Sequence, residues 1–569
     1  MSDDGTGRGD DGSNHGDRGD HSNRGNGGNG NGGNGGTNGG GTNDGKSGGG
    51  KSGDGGNGHR SGKHVGGRQG GGRGDGRGGG RGGRGGRGAR PQDDRQRRQG
   101  GGRPERGRRP ATRKEGPRKP PVDDPARRVA FDALQAVSER DAYANLILPE
   151  LLRERRISGR DAALATELTY GTARATGLLD EIIASCVDRP LSDVDGAVLD
   201  GLRLGAYQLL RTRIPPHAAV DSAVEIVRDV AGSHVAGFVN AVLRKVSDQD
   251  EQAWVTQLAP DAETDRIGNL AMRTSHPRWI ARAFAEALGD TGDELETALR
   301  ADDARPEVHL LARPGEISAD ELAAVTGGDV APYSPYGVHL PAGSGDLAAS
   351  EPLAEHLAAV QDEGSQLVTL AAVGAPVDGS DARWLDLCAG PGGKATLLGC
   401  LAATAEHEVA VDAVEVADHR ARLVEHAVSG LPVTVHRGDG RDPGLDGGYD
   451  RVLVDAPCSG LGALRRRPES RWRRQQSDVA DLTKLQAELL ESAFRLVRPG
   501  GIVAYVVCSP HLAEAEGAFT TAVRRAGAEP VDAREFFPGM PLLGDGPTVQ
   551  LWPHRHGTDA MFCGLARAT

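Results

Sequence analysis

Apolar residues recur at helical spacing from Pro125 onward, where Ala126, Val129, Ala130, Leu134 and Val137 mark one helix face and Asp124 stands where a first-turn cap belongs. The period persists through 146–152, 162–176, 178–187, 198–210, 218–230 and 238–246, broken at Asp188-Arg189-Pro190 and Pro215-Pro216. This pattern predicts an all-α bundle over residues 125–250. Between 260 and 350, short apolar runs such as Val308–Ala312 and Gly337–Leu340 predict a small α+β subdomain. Beyond residue 351, buried-strand runs at 384–388, 408–414, 433–436, 449–454 and 501–506 alternate with helical stretches, which predicts an α/β Rossmann-like domain to residue 569. Asp362 or Ser365 can cap the helix that opens this region, and His276, just before Pro277, reads as a helix-start residue. Residues 1–121 show no period at all. They are Gly, Asn, Asp, Ser and Arg with almost no apolar side chains, so burial cannot offset the entropy of ordering, and a disordered tail is expected. The chain is therefore read as multidomain.

A formal net charge of −12 argues against a nucleic-acid partner only if the charge is evenly spread. It is not. Residues 60–119 carry about 20 basic and about five acidic side chains, and 72–90 reads GRGDGRGGGRGGRGGRGAR. Mobile Arg-Gly repeats neutralise phosphates without sequence preference, so contact with RNA is expected of this tail; the plainer alternative is a solubilising tail. Six cysteines in 569 residues make no disulfide framework and show no zinc-site spacing, so free thiols and no metal are expected. Cys186 reads as a small buried residue. No run approaches the ~18 apolar residues of a membrane helix, and a cytoplasmic monomer with no membrane partner is expected.

Candidate chemistry starts where Trp384-Leu385-Asp386-Leu387-Cys388 runs into Ala389-Gly390-Pro391-Gly392-Gly393-Lys394 and a helix. Strand, glycine loop and helix N-terminus let a backbone approach a nucleotide-like cofactor closely. The next strand ends in Glu415, where a carboxylate can accept both ribose hydroxyl protons. The loop lacks the GxxxxGK[ST] phosphate cradle and departs from GxGxxG, so S-adenosylmethionine fits better than ATP or NAD. Asp439, within Gly438-Asp439-Gly440-Arg441, lies where adenine is expected, or serves as a turn former. Two later strands end in cysteine turns, Asp455-Ala456-Pro457-Cys458 and Val507-Cys508-Ser509-Pro510, and strand carboxyl ends face one crevice in such sheets. Carbon 5 of a pyrimidine is too weak a nucleophile to take a sulfonium methyl group unaided. A thiolate must first add at carbon 6, and a base must later remove the carbon 5 proton. Asp455 can hydrogen-bond the ring and stabilise the adduct, or merely end its strand. The base must be unpaired or flipped out to be reached.

The phrases RDAALATELTYGTAR, LRLGAYQLL, IPPHAAVDSAVEI and GFVNAVLRKV make the bundle resemble the NusB-like RNA-binding domain; no RNA contact is assigned to its Asn240 or Arg244. LDLCAGPGGK, VDAPCSGLG and VCSPHLAEAEG resemble the NOP/Sun (RsmB-type) family of S-adenosylmethionine-dependent RNA cytosine-5 methyltransferases, from about Pro125 to Thr569. A NusB-like domain ahead of the catalytic domain is the ribosomal RNA branch, which implies a cytidine of small-subunit (16S) rRNA as target. The resemblance implies cofactor contact by Cys388, Ala389, Gly390, Pro391, Gly392, Gly393 and Lys394, and by Glu415, Asp439 and Asp455. It also implies Cys508 as nucleophile and Cys458 as the thiol that assists release. Val507 stands where the family usually has Thr, and Gly390 where Ala is common. Arg465-Arg466-Arg467-Pro468 and Arg471-Trp472-Arg473-Arg474 resemble the family's basic segment and are expected to grip the RNA backbone, or to be a solvated charge run. Two other readings stand beside this one: a tRNA cytosine-5 methyltransferase, and a non-enzymatic RNA-binding or antitermination factor.

Overall fold

The computed structural model describes residues 124–289, 292–341 and 350–569, and the expected disorder of 1–121 lies outside them. The first helix, α1 (Pro125–Arg140), starts where the apolar period starts, and the Asp124 carboxylate accepts from the Arg127 amide at 3.1 Å. It is followed by α2 (Ala144–Glu154), α3 (Gly159–Cys186), α4 (Gly196–Arg211), α5 (Pro216–Ala231), α6 (Ala236–Val246) and α7 (Glu251–Leu258). Phe131, Leu179, Leu202, Val227 and Leu243 meet in one fully buried core, with Cys186 at its margin. Two helices expected at 162–176 and 178–187 are one, because Gly177 does not break α3. A Cβ there would lie 2.1 Å from the Trp472 ring, so glycine is needed for close approach rather than for a turn.

Helices α8 (Arg266–Arg273), α9 (Arg278–Leu288) and α10 (Gly292–Asp303) lead out of the bundle, and their apolar faces close over Leu461, Leu464, Trp552 and Ala560 far along the chain. His276 does not cap α9. It is buried, with one ring nitrogen 3.1 Å from Thr274 Oγ1 and the other 3.0 Å from Asp302 Oδ2. The small sheet comprises β1 (Val308–Ala312), β2 (Asp329–Val330) and β3 (Gly337–Leu340), with α11 (Ala319–Thr326) against it, in the order β2-β3-β1-β4. Its fourth strand, β4 (Ala358–Val360), follows α12 (Glu351–Ala354) and pairs with β1, so the boundary expected at residue 350 cuts through this sheet.

The large sheet is built from β5 (Arg383–Asp386), β6 (Ala410–Glu415), β7 (Val433–Arg437), β8 (Tyr449–Asp455), β9 (Val497–Val507), β10 (Glu529–Val531), β11 (Val549–Gln550) and β12 (Phe562–Arg567). The helices among these strands are α13 (Glu363–Gly374), α14 (Gly393–Ala403), α15 (Asp418–Ala427), α16 (Ser470–Arg473), α17 (Asp478–Leu496), α18 (Glu516–Ala526) and α19 (Pro553–His556). Strand order is β10-β12-β9-β8-β5-β6-β7, with β11 on β12; β7, β6, β5, β8 and β9 run parallel and β12 antiparallel. The Rossmann-like expectation therefore holds. Order reverses at β5, since the chain runs outward on one side through β6 and β7 and then returns to β8 on the other, and ligands of such sheets bind at the carboxyl ends beside that switch point. Asp362, not Ser365, caps α13, accepting from the Gly364 amide at 3.0 Å. Among the described residues no helix is long and apolar enough to cross a membrane.

Candidate active site

The loop 387–392 leaves β5 at the switch point and enters α14 at Gly393. A Cβ on Gly390 would lie 2.0 Å from Glu415 Oε2 and 2.8 Å from the Arg420 guanidinium, so the methyl group that often stands here in the expected family would require those side-chain ends to shift. Glu415 ends β6 and is buried; its Oε1 accepts from the Ala417 amide at 2.8 Å. Arg420 sits 3.5 Å from the other oxygen and also donates to the Gly390 carbonyl. Asp386 is fully buried, with Oδ1 accepting from the Cys388 amide at 3.3 Å and Oδ2 lacking any partner. Burial first, and the nearby Asp455 charge second, push its carboxyl up to about 7. Burial likewise holds the Cys388 thiol well above its ordinary value. Asp439 is partly exposed and engaged by Arg441, whose Nη2 donates to it at 2.6 Å.

Asp455 ends β8, and its Oδ2 accepts from the buried Lys394 Nζ at 2.8 Å. Burial alone would lower the Lys394 ammonium; the Asp455 charge and hydrogen bond outweigh it and raise it. Just beyond these strand ends, Cys458 and Cys508 are each half-buried and their Sγ atoms lie 3.4 Å apart. Topology brings them together: β8 and β9 are parallel neighbours, with Asp455 opposite Val506, so turns after both strands open on the same side. The two thiols are not equivalent. A hydrogen bond from Cys458 holds Cys508 below its ordinary value against the effect of burial, while that bond and burial hold Cys458 well above. Of the two, Cys508 is the thiol shifted toward ionisation.

Most of the basic segment turns inward, Arg467 being exposed, and the expectation that it grips RNA is corrected for most of its arginines. Arg465 Nε and Arg466 Nε bond Asp559 at 2.6 and 3.0 Å, and both guanidinium groups reach Asp362. Arg471 is fully buried, bonded to Asp303 at 2.8 Å and to the Ser275 carbonyl at 2.9 Å. Trp472 Nε1 donates to the Ala173 carbonyl at 2.9 Å and Arg473 to the Val137 carbonyl at 2.6 Å, both in the bundle. A run of arginine satisfies internal carboxylates and carbonyls here because those acceptors sit on three other parts of the fold.

Sequence reasoning passed over Asp386, Arg420 and Glu514, although Asp386 and Glu514 lie inside the quoted motifs. A fully buried carboxylate, Glu514 is bonded to both cysteine turns. Among the described residues, Glu307, His309 and His339 also place ligating atoms within 4.8 Å of one another. Their imidazoles stack at 3.8 Å and 9°, which leaves no point lying in both ring planes, where the nitrogen lone pairs point.

Comparison with known proteins agrees with this geometry. Residues 373–567 match the family model described as 16S rRNA methyltransferase RsmB/F, and 124–248 match the NusB family. The chain is 58% identical over 456 residues to MT1451 of Mycobacterium tuberculosis, whose name places it among methyltransferases without a substrate; the match spans 80% of this chain and 99% of that one. Identity is 33% over 393 residues to ribosomal RNA small subunit methyltransferase B of Klebsiella pneumoniae, spanning 67% of this chain and 86% of that one. The crystal structure of PH0851 shares the fold, with TM-score 0.65 at 22% identity, covering 79% of this chain and 100% of that one.

Proposed function

We infer the reaction from one premise: this chain belongs to the RsmB/F family of S-adenosylmethionine-dependent RNA methyltransferases. Its substrate is a cytidine of small-subunit rRNA, methylated at carbon 5. The observation that carries this reading is the 3.4 Å approach of Cys458 and Cys508 beside the Lys394–Asp455 pair.

The residues present fit the cofactor. Asp386 Oδ2 is a buried acceptor without a donor, which an ammonium group of the methionine moiety would satisfy. Glu415 keeps one carboxylate oxygen clear of backbone donors for ribose hydroxyls, while residues Cys388–Lys394 and Asp439 flank the same crevice. When bound, S-adenosylmethionine supplies the electrophilic methyl group. Cys508, as thiolate, adds to carbon 6 of the flipped-out base and forms the S–C bond, moving an electron pair toward carbon 5, which then takes the methyl group. Asp455, held by Lys394, hydrogen-bonds the ring edge and stabilises the adduct. Alkylation of Cys508 removes the hydrogen bond that most strongly held the proton on Cys458. Cys458 thereby becomes easier to ionise; once it has given its own proton to solvent, its thiolate takes the carbon 5 proton, the freed electron pair re-forms the carbon 5–carbon 6 double bond, and the S–C bond breaks with Cys508 leaving as thiolate.

Bisulfite sequencing of RNA from cells with and without the gene tests the substrate: one 5-methylcytosine in small-subunit rRNA is expected to disappear. Loss of a tRNA mark with unchanged rRNA overturns the choice of substrate. In the purified enzyme, Cys458→Ala is expected to accumulate a covalent RNA adduct and Cys508→Ala to form none, and the reverse pattern exchanges the two roles.

A further inference from the structure

We propose that Glu514 is the positioning residue of this site, a buried brace that fixes the separation of the two cysteines by accepting hydrogen bonds from the residue following each of them. The assignment rests on the cysteine chemistry proposed above, but the brace itself is a matter of geometry. Glu514 lies in the turn between β9 and α18 and is fully buried. Its Oε1 accepts from the Ser459 amide at 2.7 Å and from Gln486 Nε2 at 3.3 Å. Its Oε2 accepts from the Ser509 hydroxyl at 2.8 Å and from the Ser459 hydroxyl in a shorter contact. Ser459 follows Cys458 in the chain, and Ser509 follows Cys508. Gln486 on α17 also donates to the Pro457 carbonyl at 2.9 Å, which holds the other flank of Cys458.

Four contacts converge on one side chain, two from N–H donors on Oε1 and two from hydroxyls on Oε2, and hydroxyls can also turn to accept. Glutamine could keep these contacts, its carbonyl accepting from the Ser459 amide and Gln486 and its amide donating to the two hydroxyls, so it retains the brace without the charge, whereas alanine removes every contact to both turns. The turn is itself anchored: Tyr505 donates to the Glu514 carbonyl at 2.6 Å, and the Glu514 amide to the His511 carbonyl at 2.9 Å. Burying a carboxylate is costly, and a packed apolar side chain would hold two turns together at lower cost. What an apolar side chain could not do is fix the direction of both turns through their own polar groups. The carboxylate touches neither sulfur, so it acts through the serines. Its charge also contributes, after the Cys508 hydrogen bond, burial and the Cys508 charge, to keeping the proton on Cys458.

The test uses the full chain with Glu514→Ala, with Glu514→Gln as the variant that keeps the contacts, and with Ser459→Ala and Ser509→Ala singly, which remove fewer bonds and cover the case in which Glu514→Ala does not fold. Two readouts are combined, each normalised to the folded fraction. One is kcat and KM for RNA. The other is the rate at which diamide oxidises Cys458 and Cys508 to a disulfide, followed by mass spectrometry without RNA. Glu514→Ala is expected to lower kcat by about a hundredfold, as a misplacement of about 1 Å at a reacting group does, with KM for RNA unchanged, and Glu514→Gln to retain most of the activity. Disulfide formation in Glu514→Ala is expected to slow about tenfold, with each serine variant intermediate. An unchanged oxidation rate, or a loss of kcat no greater than the loss of folded protein, overturns the brace. If the wild-type chain methylates no cytosine, the proposed function fails while the oxidation rates still decide the role of Glu514.

Discussion

Replacing Arg471 by Met removes the most deeply buried guanidinium of the interdomain segment and leaves its carboxylate partners behind. In the wild type this group bonds Asp303 at 2.8 Å, the Ser275 carbonyl at 2.9 Å and the Asp302 carbonyl at 3.2 Å, with Asp302 Oδ2 at 3.5 Å. Asp303 is partly exposed and can rehydrate. Asp302 is fully buried, its Oδ1 has no partner, and its Oδ2 would be left with His276 alone. Breaking a buried pair by removing one partner costs about 3–5 kcal/mol, and rehydration of Asp303 places this case at the lower end, about 3 kcal/mol. The cost should depend on pH through His276, whose imidazole is held below its ordinary value by burial first and by the Arg471 charge second. A depressed histidine binds fewer protons folded than unfolded, so wild-type stability falls as pH drops through about 6.5. Without Arg471 that depression is smaller, and a protonated His276 can neutralise Asp302. The difference between variant and wild type is therefore expected to be largest near pH 8 and smaller near pH 5.5. Urea unfolding followed by tryptophan fluorescence measures it, with Arg300→Met, which breaks the exposed Arg300–Glu296 pair, as a control expected to cost about 0–1 kcal/mol. A cost for Arg471→Met no larger than that control, or one that grows toward acid pH, refutes the reasoning.

Asp386 makes an opposite pH signature. Its carboxyl is pushed up to about 7, so between about pH 4 and pH 7 the native state holds a proton that the unfolded chain has released, and stability falls by about 1.4 kcal/mol per pH unit before levelling off. Asp386→Asn has no such proton; parallel curves of unfolding midpoint against pH for the two proteins would rule the assignment out. At the thiols, the rate of Cys508 alkylation by iodoacetamide, followed by mass spectrometry, is expected to rise at lower pH than for an ordinary cysteine, because Cys458 donates to it. In Cys458→Ala that rise should move to higher pH, and an unmoved or downshifted profile would mean that the hydrogen bond is not what lowers Cys508.

The sheet was legible because strands buried on both faces read as continuous apolar runs, and the glycine loop because few other sequences join a strand to a helix so tightly. Cys458 and Cys508 could be placed on one edge for a topological reason: turns that follow parallel neighbouring strands open on the same side. The arginines between them could not be placed. A solvated run, an RNA-facing run and a buried run share the same letters, and what separates them is partners such as Asp302 and Asp362, 169 and 103 residues from the arginines they bind. Glu514 was hidden in the same way, since its bond to the Ser459 amide spans 55 residues. These long-range bonds also bear on what counts as the working unit. The segment that follows Cys458 is fastened by Arg465 and Arg466 to Asp362 and Asp559, by Arg471 to the α9–α10 region, and by Trp472 and Arg473 to the bundle. A chain cut at residue 350 would keep both thiols and the Glu514, Asp362 and Asp559 contacts, but would lose strand pairing between β1 and β4 and the Ser275 and Asp303 partners of Arg471. The segment that follows Cys458 thus ties the Rossmann-like portion to the bundle and to the α9–α10 region through Arg471, Trp472 and Arg473.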